Sequence, residues 1–143
     1  MSASWYCTPG AQRGSHGVRA AESAEVIQCG TDRGCSVKMS AILVLCTCPD
    51  ETVADRIATA LVDERLAACV NRLPGVVSTY RWKSEVCRDS EWLLLIKTTI
   101  ERFAALSERI VALHPYELPE VVAVDIARGL PPYLQWIAAE TRP

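Results

Sequence analysis

CVNRLPGVVSTYRWKSEVCRDSEWLLLIKT, Cys69 to Thr98, is the stretch whose reading decides the fold. It contains two strand-like segments, Cys69 to Lys83 and Glu85 to Thr98, with no helical period between them. Branched and aromatic side chains such as Val70, Val76, Thr79, Tyr80 and Trp82 favour extended backbone. Pro74-Gly75 interrupts the first segment, a pair that marks a bulge or bend. A turn near Ser84 then folds the two segments into a hairpin. Extended at roughly 3.3 Å per residue, the second segment spans about 45 Å. A compact domain of about a hundred residues is roughly 34 Å across. The hairpin should therefore overhang its own sheet and present an unpaired edge to a neighbour.

Working outward, Ala41 to Cys48 is a continuous apolar run that reads as a strand buried on both faces. Pro49, Asp50 and Glu51 follow as a helix start, with Pro49 in the first turn and the acids opposing the helix dipole. Val53, Ile57 and Leu61 recur every fourth residue, and this helix is expected to end near Leu66. Beyond the hairpin, Thr98 and Glu101 have capping-box spacing. Phe103, Leu106, Ile110 and Leu113 define the next helix, which His114-Pro115 closes. Glu120 to Ile126 is a further strand, and Pro131-Pro132 opens a short C-terminal helix through Trp136. The order β-α-β-β-α-β defines an α+β chain with an antiparallel sheet, the split βαβ arrangement of ferredoxin-like folds.

Residues 1–38 are different in kind. They hold five of the seven glycines and show no apolar period, which predicts a disordered tail or an upstream extension before a natural start at Met39. Cys7, Cys29, Cys35 and His16 in this segment lack metal-ligand spacing. The folded domain is expected to occupy residues 39–143.

Composition narrows the function classes. A net charge of −2 without a cluster of Lys and Arg predicts no nucleic-acid partner. No apolar run approaches the roughly 20 residues of a membrane span. The odd count of 7 cysteines, with no apolar run of signal-peptide length at the N-terminus, reads as reduced thiols in the cytoplasm. A Gly-rich phosphate loop and a Ser-His-Asp set are both missing, so the chain is expected not to be an enzyme.

Two main helices can cover one face of a four-stranded sheet, and the other face should then alternate polar with apolar residues. Ile42-Leu43-Val44-Leu45, Trp92-Leu93-Leu94-Leu95-Ile96 and Val121-Val122-Ala123-Val124 are apolar on both sides. Leaving such a face wet would cost several kcal/mol at about 25 cal/mol per Å². Self-assembly through strand pairing satisfies both this apolar face and the overhanging hairpin. A bent hairpin folded back over its own sheet is the alternative. Tyr80, Trp82 and Trp92 are candidates for subunit interfaces.

The segments VLCTCPDE, LVDERLAACVNRLPGVVSTYRW, LLLIKTT, LHPYELPEVVAV and YLQWI span almost all of residues 40–137. In order and spacing they resemble the CutA family of divalent-cation tolerance proteins. The resemblance implies a PII-like homotrimer with strands paired between subunits, copper binding as Cu(II) or Cu(I), and a role in metal tolerance. Other divalent cations such as zinc are compatible. The implied metal site corresponds here to Cys46 and His114. Some members carry two consecutive histidines where this chain has Leu113-His114.

Thiolate and imidazole suit soft and borderline ions, whereas a closed zinc site would want about four protein ligands. Cys48 lies two residues from Cys46, on the same side of the strand, where it is placed to be an additional donor but reads better as the last core residue before the helix. Cys69 would be a further donor only if its strand lay beside the first, and otherwise packs as a small hydrophobe. Glu117 and Glu120 bracket the loop after His114 as oxygen donors. Cys46 and His114 alone are taken as the metal ligands. The competing reading is a PII-like ligand-sensing or protein-interaction trimer in which the thiols only pack.

Overall fold

The structure, a computed structural model, describes residues 40–142. The N-terminal extension, with Cys7, His16, Cys29 and Cys35, lies outside the described residues.

Eight apolar-rich residues form β1, Ala41–Cys48, and its side chains alternate between the buried and half-buried faces of the sheet. Helix α1, Glu51–Asp63, starts at Asp50, whose side chain accepts a 2.8 Å bond from the Val53 amide. Pro49 therefore precedes the cap instead of occupying the first turn. Asp50→Ala is expected to cost about 1 kcal/mol, read as a lower urea midpoint with an unchanged m-value. The helix ends three residues before Leu66, because Arg65 turns to positive φ and the Leu66 and Ala67 amides both return to the Leu61 carbonyl. This turn brings Leu66 and Ala67 into the core.

Strands β2, Cys69–Trp82, and β3, Glu85–Thr99, form the long hairpin. Lys83 and Ser84 both adopt positive φ, the conformation a tight two-residue hairpin requires. The pairing slips between Leu73 and Val76, where Gly75 takes a φ of 81° to absorb the extra residue. The bulge expected at Pro74-Gly75 is thus present. Strand β1 pairs with β3 only from Trp92 to Thr99. The rest of the hairpin, Val76–Trp82 with Glu85–Glu91, extends as a two-stranded ribbon beyond β1, as the length argument requires.

A 3₁₀ turn, Ile100–Arg102, leads into α2, Phe103–Leu113. The expected capping box does not form. Thr98 is fully buried and donates its hydroxyl to the Leu66 carbonyl at 2.6 Å, a better use of a buried polar group than a helix start in water. Strand β4, Val122–Asp125, is shorter than expected, and α3, Pro131–Glu140, is longer. The sheet order is β2-β3-β1-β4, all antiparallel, which is the ferredoxin-like arrangement.

Helices α1 and α2 cover one face. Ile42, Val44, Cys46 and Cys48 of β1 and Leu94 and Ile96 of β3 meet Ala54, Ile57, Leu61, Leu106 and Ile110 there. Trp92 is half-buried and packs in part against this core. On the other face, register places Leu43 and Leu45 beside Val124 and Val122 on one flank and beside Lys97 and Leu95 on the other. Helix α3 closes only one end of that face, where Ile137 and Leu134 pack with Ala41 and Ala68. Val122 and Val124 remain 48% and 46% exposed. Two ion pairs, Arg72 with Asp55 and Arg109 with Glu64, tie the outer surfaces together and contribute no more than about 1 kcal/mol each.

Candidate metal centre

Strand geometry puts residues 46 and 48 on the same side of β1, facing the helices, and both cysteines are fully buried. His114 reaches them from α2. It is the C-cap residue, held extended at φ −80° and ψ 137° ahead of Pro115, as a residue before proline prefers. Its amide donates to the Ile110 carbonyl at 2.8 Å. Arg56 of α1 donates to the Leu113 carbonyl at 2.7 Å, satisfying one of the free carbonyls at the end of α2 and anchoring that end beside β1.

The donor atoms of Cys46, Cys48 and His114 all lie within 4.8 Å of one another. The structure thus brings together Cys46 and His114, which lie 68 positions apart in the chain, and adds Cys48 to them. Cys48 is a fully buried core residue, as the sequence reading favours, and it is also a member of the cluster. Cys69 is not a member. Strand β2 lies against β3, not β1, and Cys69 faces Lys97, whose ammonium is 3.8 Å from its sulfur. Glu117 and Glu120 are exposed and outside the cluster.

Hydrogen bonds assign the imidazole tautomer. The Tyr116 amide donates to Nδ1 at 3.1 Å, so Nδ1 carries the lone pair. Nε2 lies 2.8 Å from the Thr47 carbonyl and donates to it. Thr47 stands between the two cysteines, so one carbonyl of β1 orients the ring beside both thiols. The Tyr116 ring stacks at a tilt, 4.8 Å from the imidazole centroid.

A carboxylate completes the surroundings. Glu91, just beyond the last β1–β3 pair, is only 6% exposed. It accepts hydrogen bonds from the Ser78 hydroxyl and, at 3.1 Å, from the Tyr116 hydroxyl. Burial, followed by the Glu91 charge, pushes the Tyr116 phenol well above its ordinary range, so it remains a proton donor to Glu91. The two thiols share one strong interaction. The Cys48 contact and burial push Cys46 far up, while the Cys46 hydrogen bond and then His114 pull Cys48 down. The Cys46 thiol donates to the Thr47 carbonyl at 3.7 Å. In the sequence Glu91 reads only as one of the hairpin's acids. Its charged neighbours, Arg88 and Asp89, give no signal that this one is enclosed.

A buried set of two sulfurs and one imidazole nitrogen fits a soft or borderline metal ion. The ferredoxin-like subunit with this sulfur–imidazole corner defines a small α+β protein with a candidate metal site. Residues 42–140 match the CutA1 divalent ion tolerance protein family, and the chain belongs to that family. It is 57% identical over 99 residues to the divalent-cation tolerance protein CutA of Thermus thermophilus, covering 69% of this chain and 96% of that protein. It is 50% identical over 91 residues to protein CutA of Mus musculus, covering 64% of this chain and 51% of the mouse protein. The chain therefore spans about half of that mammalian relative. The crystal structure of CutA from Xylella fastidiosa superposes with a TM-score of 0.70 at 50% identity, covering 71% of this chain and 98% of that one.

Proposed function

We propose that this chain is a cytoplasmic homotrimer that binds copper, or another divalent cation such as zinc, through Cys46 and His114 and serves cation tolerance by sequestering or sensing the ion. The observation that carries the metal reading is the convergence of these two residues, from different elements, within one buried cluster. Family membership supports the tolerance role, since the similar Thermus protein bears that name. The role is non-catalytic and needs neither nucleic acid nor a membrane. Among the described residues no helix is long and apolar enough to cross one.

The trimer is supported by what the single chain leaves uncovered. The open face of the sheet carries Leu43, Leu45, Leu93, Leu95, Val122 and Val124, and the ribbon exposes Val77, Tyr80 and Val86. A two-stranded ribbon is marginal in water by itself. Pairing with a neighbour's strand would satisfy its edge and bury its side chains.

Titration of the reduced chain with Cu(II) or Zn(II) should show saturable binding that weakens at least about tenfold in Cys46→Ser and in His114→Ala, each such step being about 1.4 kcal/mol. Binding should also weaken as pH falls, because thiols release protons when they ligate. Unchanged affinity in both variants would remove the site. The packing reading then takes over, favoured by the complete burial of Cys46 and Cys48, and leaves a PII-like interaction or ligand-sensing trimer.

A further inference from the structure

We propose that Cys48 is a third metal donor and that the Cys46–Cys48–His114 set selects Cu(I). The inference rests on the metal-binding reading above and adds a ligand and an ion to it.

Geometry comes first. Adjacent same-side positions on β1 hold both sulfurs near the imidazole, with every donor atom within 4.8 Å of the others. A thiolate sulfur sits roughly 2.3 Å from a first-row ion. Three donors at about that distance around one ion lie roughly 4 Å from one another. Side-chain rotations that draw the donors together by up to about 1 Å would close the set around one ion.

The imidazole is arranged for the same purpose. In the tautomer present, Nδ1 is the nitrogen with a lone pair, now shared with the Tyr116 amide. Coordination through Nδ1 would exchange the 3.1 Å bond from the Tyr116 amide for the metal and leave the 2.8 Å bond from Nε2 to the Thr47 carbonyl in place. A ligating histidine held through its other nitrogen by a backbone carbonyl is the usual supporting arrangement. The segment Cys46-Thr47-Cys48 thus supplies two donors and the group that orients the third.

Donor number and type then choose the ion. Thiolates select soft ions, and Cu(I) is softer than either Cu(II) or Zn(II). Zinc prefers four ligands, with water completing an open set of three. The described residues offer three donors in this cluster, and Cys46, Cys48 and His114 are all buried, at 0%, 0% and 8% exposure. Cu(II) favours tetragonal nitrogen and oxygen sets, and the nearby carboxylate of Glu91 is already engaged by Ser78 and Tyr116.

The test uses the full chain, reduced and free of oxygen, titrated with Cu(I) in competition with a chromophoric Cu(I) chelator. One Cu(I) per chain is expected, with Cys48→Ser weakening it at least about tenfold, and Zn(II) binding at least a hundredfold weaker than Cu(I) in the unsubstituted chain. X-ray absorption at the copper edge of the unsubstituted chain should show two sulfur neighbours, and this readout does not depend on whether a Cys48 variant folds. A single sulfur neighbour overturns the proposal. So does a Cys48→Ser chain that binds Cu(I) as tightly as the parent while Cys46→Ser and His114→Ala lose it, an outcome that leaves the two-ligand reading standing. Zn(II) binding as tight as Cu(I) overturns the selectivity. Cu(I) binding unaffected by all three substitutions overturns this inference and the site above together.

Discussion

Leu45→Glu is expected to sediment as a monomer under conditions where the unsubstituted chain sediments as a trimer, with little change in far-UV circular dichroism. Leu45 lies on the open face of the sheet, between Leu95 of β3 and Val122 of β4, and is half-buried within one chain. A carboxylate at this position can still reach water in the isolated subunit, so the fold tolerates it. In the proposed assembly the same carboxylate would lose its water with no cation to pair it, at a cost of about 3–5 kcal/mol for each copy. Three copies multiply that penalty, and association should fail before folding does. If parent and variant both sediment as monomers, the trimer is wrong. If both remain trimeric, the open face is not the surface that joins the subunits.

Leu94→Ala should show the reverse, a loss of subunit stability. Leu94 is fully buried opposite Cys46 on the face covered by α1 and α2. Removing its branched end takes away transfer free energy and leaves a cavity that the sheet and two helices cannot fill, a loss of about 2–5 kcal/mol. That is a large part of the roughly 5–15 kcal/mol that stabilises a typical domain. Urea unfolding at one fixed protomer concentration measures it, since assembly would make stability concentration-dependent. Val111→Ala, on the exposed side of α2, is the control and should stay within about 0.5 kcal/mol. Equal losses in the two variants would contradict the assignment of faces.

Much of the fold was legible because it depends on local pattern. Val53, Ile57 and Leu61 mark α1, and the long hairpin follows from extended-favouring residues around a single short turn. Where expectation and structure differ, a distant partner decides. Thr98 has the spacing of a helix cap, but the Leu66 carbonyl, 32 residues away, takes its hydroxyl. The end of α1 is set by the Leu61 carbonyl receiving two amides, which no helix-period count reveals.

The candidate site divides in the same way. The sequence by itself determined that Cys46 and Cys48 share one side of a strand, and that His114 stands at a helix end before a proline. Both follow from backbone periods of two and 3.6 residues, which are properties of short segments. Only the tertiary structure decided that this helix end meets that strand, that Cys69 lies two strands away, and that Glu91 is enclosed by Ser78 and Tyr116. Those facts depend on sheet order and on how α2 packs, and packing is set by the whole apolar surface at once. The two thiols of Cys-Thr-Cys are thus neighbours by covalent geometry, and the imidazole joins them only because the core between β1, α1 and α2 closes.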